Sequence, residues 1–378
     1  MKITLKRTDE QVELIKAMAS KNREVAYEAQ AALAEFIGPV IAEVINKAPV
    51  LSNLFAAFQF EADSNPSLPL DLYYDISAED YIQVHSTTIP GGLPTNHVLP
   101  TASELKFTTY RLDSAVSFDR RYAAQSRLDV VGKTMTRVAQ EVLLKQQQTS
   151  ANLLLTALAQ ASTGGEQHVA TSKIAGAFLL ADLNAMITRA KRVNAAWNAG
   201  TPVGGSGNGL TDLIVSPEVM EMIRAMAYNP VNTKTAGGIA PGTSTTQGGD
   251  AWIAAPESVR SRMWDSAGTV DFFGVNLTEA NELGPERKYT KIYNAAATAA
   301  GGTAVPVGAN GDLVIGLDLS RDSLIRAVAV DAESGSEFTL VADDQYSIRQ
   351  QKIGFFGSLE EGRMVIDNRT LLGTVVNA

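Results

Sequence analysis

The longest uninterrupted feature of the sequence is the stretch Ser126–Ala161, which predicts a single helix. It contains no proline, Ser126 and Asp129 are placed to cap its first turn, and Ser162-Thr163-Gly164-Gly165 follows it. Apolar residues recur at helical spacing, with Gln146-Gln147-Gln148 where the stripe changes phase: Leu128, Val131, Met135, Val138, Val142, then Leu144, Ala151, Leu155 and Leu158. At 1.5 Å per residue the helix would be about 50 Å long. Two interpretations stay open, a coiled-coil or bundle helix and the backbone of a wide, thin subunit.

Composition excludes several kinds of protein. The chain has 378 residues, 45% of them hydrophobic, which is enough for a sizeable core in about two domains. It has no cysteine, so disulfides, thiolate metal sites and thiol nucleophiles are excluded. The formal charge of −9 argues against a surface that grips nucleic acid, although it is compatible with a protein that encloses nucleic acid. Charged residues along Ser126–Ala161 rule out a membrane span there.

Residues 65–115 predict a long two-stranded hairpin. Its extended runs are Leu68–His85 and Ala102–Val116, and prolines with Gly91-Gly92 break the chain between and around them. Two strands alone are barely stable in water, so such a hairpin needs a partner surface. The alternative is a hairpin folded back onto its own domain.

The charges around this hairpin are segregated. Between Asp71 and Glu104 there is no lysine or arginine, whereas a basic stretch follows directly. We therefore expect the acidic hairpin of one copy to dock onto the basic root of the next copy. The candidate intersubunit contact residues are Asp75, Glu79, Asp80, Arg111, Arg120, Arg121 and Arg127. The alternative is a solvated charged face, in which surface ion pairs contribute little.

The remaining chain alternates helical and extended patterns. A capping box at Thr8 predicts a helix to Phe36, and Gly38-Pro39 is expected to end it and start a short helix through Lys47. After the long helix we expect a helix at Phe178–Ala199, a strand at Leu210–Val215, a helix starting at Ser216-Pro217-Glu218, a loop at Ala295–Ala309 and several C-terminal strands with a turn at Glu361-Gly362.

No motif indicates a reaction. The glycine-rich stretches lack the spacing of a dinucleotide fingerprint or a P-loop, and no zinc-protease or serine-hydrolase motif is present. His85, His97 and His168 are scattered and are expected at the surface, and Glu360-Glu361 is expected to be solvated in a turn. We expect no catalytic residues, no cofactor and no metal site.

The order of parts, together with four local sequences, resembles the major capsid protein family of tailed bacteriophages. These sequences are Glu104–Phe118, Asp212–Met220, Phe272–Leu277 and Arg349–Gly357, and they extend from the hairpin nearly to the C-terminus. The resemblance implies an α+β, HK97-like capsid fold. Its parts would be an N-terminal arm (1–60), an E-loop hairpin (65–115), a P-domain (116–200) with spine helix 126–161, an A-domain (201–320) and C-terminal strands returning to the P-domain (321–378).

The same resemblance implies a structural function. Copies would form pentamers and hexamers that close into an icosahedral shell around phage double-stranded DNA, without sequence-specific binding and without a membrane. The expected partners are portal, scaffolding and cement proteins, the location is the virion capsid, and assembly takes place in the host cytoplasm. Some family members cross-link neighbours through an E-loop lysine, but this hairpin has none before Lys106.

Two other functions stay open. An encapsulin-type compartment shell would hold a cargo enzyme instead of DNA, and a cargo-peptide groove beside the N-terminal helix would favour it. An enzyme on an unfamiliar α+β fold would need a closed pocket that holds titratable groups with perturbed pKa values.

Overall fold

The structure, a computed structural model, describes residues 8–48, 51–61, 64, 66–69, 104–163, 165–193, 209–228, 231–232, 252–253, 274–308, 311–321, 323–331, 335–343 and 350–376. The chain divides into two units. The first unit consists of Met1–Leu68, Leu105–Ala151 and Leu324–Met364, and the second of Pro69–Glu104, Asn152–Ser323 and Val365–Ala378. Each unit has a β-sheet and a hydrophobic core of its own.

The described part of the chain contains both helices and strands, with the longest run of strands towards its C-terminus. The helices are α1 (Asp9–Met18), α2 (Arg23–Asn46), α3 (Arg120–Ala124), α4 (Leu128–Gln160), α5 (Leu180–Val193), α6 (Pro217–Tyr228) and α7 (Lys288–Ala300). The strands are β1 (Ala56–Glu61), β2 (Ser67–Pro69), β3 (Glu104–Lys106), β4 (Thr109–Asp119), β5 (Ser162–Thr163), β6 (Glu166–Gln167), β7 (Val169–Thr171), β8 (Asp212–Val215), β9 (Val231–Asn232), β10 (Trp252–Ile253), β11 (Asn276–Glu279), β12 (Asp312–Leu317), β13 (Leu324–Val330), β14 (Thr339–Asp343), β15 (Lys352–Val365) and β16 (Leu371–Val376).

The N-terminal region forms two helices that break at a different place from the predicted one. The chain leaves α1 after Met18, and Asn22 caps α2 by accepting the backbone N–H of Glu24 at 3.2 Å. The intervening polar residues contribute nothing to the core, which is why the break falls there. The predicted break at Gly38-Pro39 is wrong, because α2 continues through Pro39. Gly38 lies against the start of β14, where an added Cβ would be in ordinary van der Waals contact, 3.5 Å from the Phe338 carbonyl oxygen.

The predicted long helix is confirmed as α4, slightly shortened at both ends. Its 33 residues correspond to about 50 Å. The predicted capping by Ser126 is wrong. Ser126 has a left-handed backbone (φ 55°), and its buried hydroxyl makes no hydrogen bond. The helix instead follows directly after the turn in which Arg127 N–H donates to the Tyr122 carbonyl oxygen at 3.0 Å.

The sheet of the first unit is centred on β15. Its strand order is β1-β13-β15-β14, and β4 pairs antiparallel with β15 from Lys352↔Asp119 to Gly362↔Thr109. The second half of the predicted hairpin is therefore mostly a strand of this sheet, and β2 pairs with β3 where the hairpin begins. The predicted turn at Glu361-Gly362 is wrong, because these residues lie inside β15. The rest of the hairpin lies outside the described residues.

The second unit contains a mixed sheet with the order β11-β8-β12-β16-β7. The predicted strand and helix around Ser216 are confirmed as β8 and α6, and the Ser216 hydroxyl accepts the backbone N–H of Val219 at 3.1 Å. The predicted loop at Ala295–Ala309 is wrong in its first part, because α7 continues to Ala300 and ends at Gly301 with φ 70°. Alanine is the best helix former, and buried Tyr289 and Tyr293 fix this helix in the core.

We expect Leu158→Ala to destabilise the protein by about 2–5 kcal/mol, because Leu158 is fully buried against β16 and truncation leaves a cavity. Leu144→Ala on the same helix is the matched control. Leu144 is 54% exposed, so its truncation should cost less than about 0.5 kcal/mol. Denaturant unfolding of both variants measures the difference, and equal losses would contradict the packing of α4.

Candidate functional site

Three of the predicted contact arginines are exposed and lie beside carboxylates of their own chain. Arg111 Nε lies 2.7 Å from Asp113, Arg127 Nε lies 3.4 Å from Asp129, and Arg121 Nε lies 3.8 Å from Asp119. Such exposed pairs contribute little to stability because water screens them and the long side chains lose entropy. The three side chains remain accessible, but their charge is locally balanced.

Arg120 has a different role from its neighbours in the sequence. Its guanidinium group is half-buried and donates to the carbonyl oxygen of Ala19, from Nε at 3.1 Å and from Nη2 at 2.8 Å. It also donates to the carbonyl oxygen of Ser20. Arg120 thus satisfies the free carbonyl groups where α1 ends. The predicted partners Asp75, Glu79 and Asp80 lie outside the described residues, so the docking of hairpin onto root stays a prediction.

A buried polar cluster surrounds Glu361 in the first unit. Arg326 Nε donates to Glu361 Oε2 at 2.9 Å, Arg363 Nη2 donates to the same oxygen at 3.1 Å, and the Tyr110 hydroxyl donates to Oε1 at 2.8 Å. The side chains of Glu361, Arg326 and Arg363 are only 0%, 4% and 1% exposed. Oε2 of Glu337 lies 3.7 Å from Nη2 of Arg326. Two carboxylates therefore face two guanidinium groups, and the cluster is formally neutral.

Polar side chains of α4 complete this cluster. Gln146 Nε2 donates to Glu361 Oε2 at 2.9 Å, and the Ser150 hydroxyl accepts from Arg363 Nη1. Arg363 Nη2 also donates to the Ser52 hydroxyl at 2.7 Å, in the turn before β1. The cluster therefore connects α4, β4, β13 and β15 with the segment that follows α2.

The electrostatics of the cluster favour an ionised Glu361. Burial alone would raise the pKa of its carboxyl group, but Arg363, Arg326 and the hydrogen bonds outweigh burial and lower that pKa below its ordinary value of 4.5. Burial and the neighbouring Glu361 carboxylate raise the pKa of Tyr110 to about 12, so its hydroxyl group stays a neutral donor. Because the folded pKa of Glu361 is lowered, its contribution to stability is present above pH 4.5 and is lost as the pH falls through its folded pKa.

The sequence analysis missed this cluster. It predicted that Glu360-Glu361 is solvated, which is wrong for Glu361, because the pleat of β15 turns successive side chains to opposite faces. Two features of the sequence indicated a buried polar cluster. Arg326 interrupts the otherwise apolar strand LIRAVAV, and Gln146 lies where the apolar stripe of α4 changes phase.

Residue Asp312 forms a second buried polar contact, in the second unit. Its side chain accepts hydrogen bonds from the Ser216 hydroxyl group and, at 2.7 Å, from the backbone N–H of Leu313. Burial, with a smaller contribution from the nearby Glu218 carboxylate, raises the pKa of Asp312 to about 6 against the opposing effect of these hydrogen bonds. The Ser216 hydroxyl group joins Asp312 to the first turn of α6.

His168 is buried, so its predicted surface position is wrong. It is 1% exposed, and its Nδ1 lies 2.9 Å from the Leu371 carbonyl oxygen and 3.0 Å from that of Asn368. Burial lowers the pKa of His168 despite these two contacts. The ring therefore joins the segment before β7 to the start of β16. His85 and His97 lie outside the described residues.

Apolar side chains are exposed on the outer face of α2. Val25 is 41% exposed and Phe36 is 58% exposed, and the two are eleven residues apart, so they share one face of the helix with exposed Ala32. Nothing in the first unit covers this face within the described residues.

Within the described part of the chain, no group of three or more histidine, aspartate or glutamate side chains is arranged to hold a metal ion. Among the described helices, none combines the length and apolarity that a bilayer crossing requires.

Comparison with known proteins gives matches only at the level of structure. No protein-family model matches the sequence, and no curated protein matches it. The capsid structure of the cyanophage P-SCSP1u matches with a TM-score of 0.51 and 12% identity, over 88% of this chain and 89% of that chain. The chain has the HK97-like capsid fold.

Two further solved structures match with lower scores. The capsid of an empty GTA particle has a TM-score of 0.46 and 12% identity, over 87% of this chain and 90% of that chain. The holo-SrpI encapsulin complex from Synechococcus elongatus PCC 7942 has a TM-score of 0.43 and 12% identity, over 86% of each chain. At 12% identity, the likeness to the cyanophage capsid shows the fold and not the function.

Glu361→Gln is expected to cost about 3–5 kcal/mol of unfolding free energy, because it leaves two buried guanidinium groups without their shared carboxylate. Glu360→Gln is the matched control, since Glu360 is adjacent in the sequence but partly exposed and outside the cluster, and should cost less than about 0.5 kcal/mol. Denaturant unfolding at pH 7 compares the two variants. Equal losses would show that Glu361 does not hold the cluster together.

We expect Asp312→Asn to change how stability depends on pH. The folded pKa of Asp312 is about 6 against an ordinary value of 3.8, so this acid supports folding fully below pH 3.8 and loses that contribution as the pH rises through about 6. The neutral variant should therefore gain stability relative to the parent between pH 4 and 7, by about 3 kcal/mol in total. Thermal unfolding at several pH values measures the difference in stability between the variant and the parent. A difference that does not depend on pH would contradict a raised folded pKa for Asp312.

Proposed function

We propose that this protein is a major capsid protein, whose copies assemble as pentamers and hexamers into a closed icosahedral shell. The observation that carries this proposal is the HK97-like capsid fold, which extends over 88% of the chain in the cyanophage capsid comparison. The protein would be a structural component of the virion, without a reaction of its own.

The exposed apolar face of α2 supports an assembling subunit. Val25 and Phe36 would be costly to leave in water, and burying them against a neighbour contributes about 25 cal/mol per Å² of apolar surface. The edge strand β14 adds Val341, which is 47% exposed. Obligate interfaces bury roughly 2,000–5,000 Å², so a shell subunit needs several such surfaces.

The enclosed molecule in this proposal is phage double-stranded DNA. A chain with a formal charge of −9 does not hold DNA tightly. A shell that packages and releases DNA needs an inner surface that binds DNA only weakly. The partners would be a portal, a scaffolding protein and a cement protein, and the shell would assemble in the host cytoplasm.

The five sequence segments and the candidate contact residues belong to the same proposal. Residues 1–60 would be the N-terminal arm, 65–115 the E-loop, 116–200 the P-domain, 201–320 the A-domain and 321–378 the returning strands. Arg111, Arg121 and Arg127 would lie at the rim of intersubunit contacts, where each adds little because its own carboxylate neighbour already balances it. Arg120 would act indirectly, by fixing the end of α1.

An encapsulin-type shell is the second candidate function. A groove in the first unit lies between α2 and β14, lined among others by Tyr27, Ala31, Gly38, Phe338 and Leu340. It is the kind of surface beside an N-terminal helix on which a cargo peptide would bind. This candidate predicts enclosed protein instead of DNA.

Electron microscopy of the purified full chain, alone and with a scaffolding protein, tests both candidates. We expect closed particles with rings of five and six subunits, and nucleic acid that survives nuclease treatment. A compact monomer at every concentration, with no particles even with the scaffolding protein, would contradict shell formation. Particles of one small diameter that retain a co-purifying enzyme and no protected DNA would favour the encapsulin function.

A further inference from the structure

A cleft in the second unit is lined by basic side chains from two parts of the fold. Arg189 and Arg192 lie on α5, three residues apart and therefore on one face of the helix. Lys173 comes from the segment just after β7. The cleft follows α5 over residues 181–192, which correspond to about 16 Å of helix. The other α5 residues that line it are small or polar: Ala181, Asn184, Ala185 and Thr188.

A buried contact fixes the segment that carries Lys173. Asp182, at the start of α5, accepts the backbone N–H of Lys173 at 3.0 Å and that of Leu179 at 2.9 Å. Each of these hydrogen bonds uses a different oxygen of the carboxylate. The fold therefore holds the Lys173 backbone against α5 and brings a third cation to the two arginines.

The positive charge of the cleft is not neutralised by ion pairs. Within the part of the chain that the structure describes, none of Lys173, Arg189 and Arg192 forms an ion pair, in contrast to Arg111 and Arg127. The carboxylates that line or adjoin the cleft are exposed Glu166 and buried Asp182. The helix dipole of α5 favours basic residues in its last turn, but it does not account for Lys173.

His168 lies in a smaller pocket that shares Lys173 and Arg189 with the cleft. Burial is the main cause of its lowered pKa, and the positive charge of Arg189 contributes to the lowering. His168 is therefore neutral at pH 7, and the cations of the cleft at that pH are Lys173, Arg189 and Arg192.

The chemistry of the cleft fits phosphate groups that are spaced along a polymer. A guanidinium group donates two parallel hydrogen bonds to one phosphate, and an ammonium group adds a point charge. One strand of DNA carries a phosphate about every 3.4 Å along the helix axis, so a helix face of about 16 Å is long enough to meet several of them.

The charge of the whole chain makes such a local cluster necessary for any contact with nucleic acid. A chain with a formal charge of −9 repels DNA over most of its surface. A group of unpaired cations is where a polyanion enclosed by many copies of the chain can approach closely.

We propose that the cleft lined by Lys173, Arg189 and Arg192 binds the phosphate backbone of the enclosed nucleic acid. This inference rests on the proposed shell function and adds the surface on which each subunit meets the packaged DNA. The binding is weak and independent of sequence, because phosphate contacts carry no base information.

Binding of a labelled DNA duplex of random sequence to unassembled full-length protein tests the inference, with fluorescence anisotropy as the measurement. The parent protein is expected to bind at low salt with a Kd of about 10⁻⁴ M or tighter, the range of non-specific binding. Arg189→Gln with Arg192→Gln should weaken binding at least about fivefold and reduce the slope of log K against log salt by about 2, because two phosphate contacts are lost.

Three further variants control this measurement. Lys133→Gln with Lys145→Gln removes the same charge from exposed positions on α4 and should leave the Kd within about twofold. Arg189→Lys with Arg192→Lys keeps the charge and should keep most of the salt dependence. Lys173→Gln changes one exposed side chain and should also weaken binding, so the test does not depend on the double variant being folded. Circular dichroism and a melting curve establish that each variant is folded.

Competition identifies the anion that the cleft prefers. Inorganic phosphate and poly-glutamate are added at the same total charge as the DNA, and both are expected to displace the duplex poorly. If inorganic phosphate displaces the duplex equally well, the cleft binds single free anions and the inference is wrong. Equal displacement by poly-glutamate would assign the cleft to acidic peptides and would also overturn it.

The outcomes separate the inference from the proposed function. If the unmodified protein forms no particles, the shell function fails whatever the DNA titration gives. If particles form and the Arg189→Gln, Arg192→Gln variant binds the duplex as tightly as the parent, the inference is wrong while the shell function stands. The same holds if this variant loses assembly with unchanged DNA binding, since the cleft would then be a contact between protein surfaces.

Discussion

The first unit depends on the compensation of one fully buried carboxylate. Removing Glu361 from water costs several kcal/mol, and this cost is offset only because Arg326, Arg363, Tyr110 and Gln146 all donate to it. The same requirement fixes the register of β15. A slip by one residue would turn Glu361 and Arg363, which lie two residues apart on this strand, to the opposite face together, and would break the contacts that they make with Arg326, Gln146 and Ser150. The cluster therefore determines which alignment of the strands is stable, in addition to holding them together.

Around this cluster, the first unit exposes apolar side chains that do not pack into its own core. Leu33, Ile37 and Ile41 of α2 face the core, whereas Val25 and Phe36 on the opposite face are exposed. A helix that is apolar on both faces is typical of an element buried on both sides. In a shell, a neighbouring copy would cover the outer apolar face of α2. The proposed assembly would therefore account for the incomplete burial of α2 in the single chain.

The second unit combines a packed core with charged groups whose positions are fixed. Asp312 and Ser216 join the start of β12 to the start of α6, and Asp182 joins the segment after β7 to the start of α5. In both places a buried acid accepts hydrogen bonds from backbone or hydroxyl groups near the start of a helix. The two contacts therefore fix the starts of α6 and α5 relative to other segments of the chain.

The sequence by itself determined the long helix α4, its end before Ser162-Thr163-Gly164-Gly165 and the strand–cap–helix unit around Ser216, because these depend on local periodicity and backbone chemistry. The order of the parts was sufficient to indicate the capsid fold. Only the tertiary structure decided that α2 continues through Pro39, that Glu361 is buried while Glu360 is not, that His168 is internal, and that Lys173 lies beside Arg189. Each of these depends on contacts between residues far apart in the chain, where packing outweighs local preference and where no pattern in neighbouring residues records the partner.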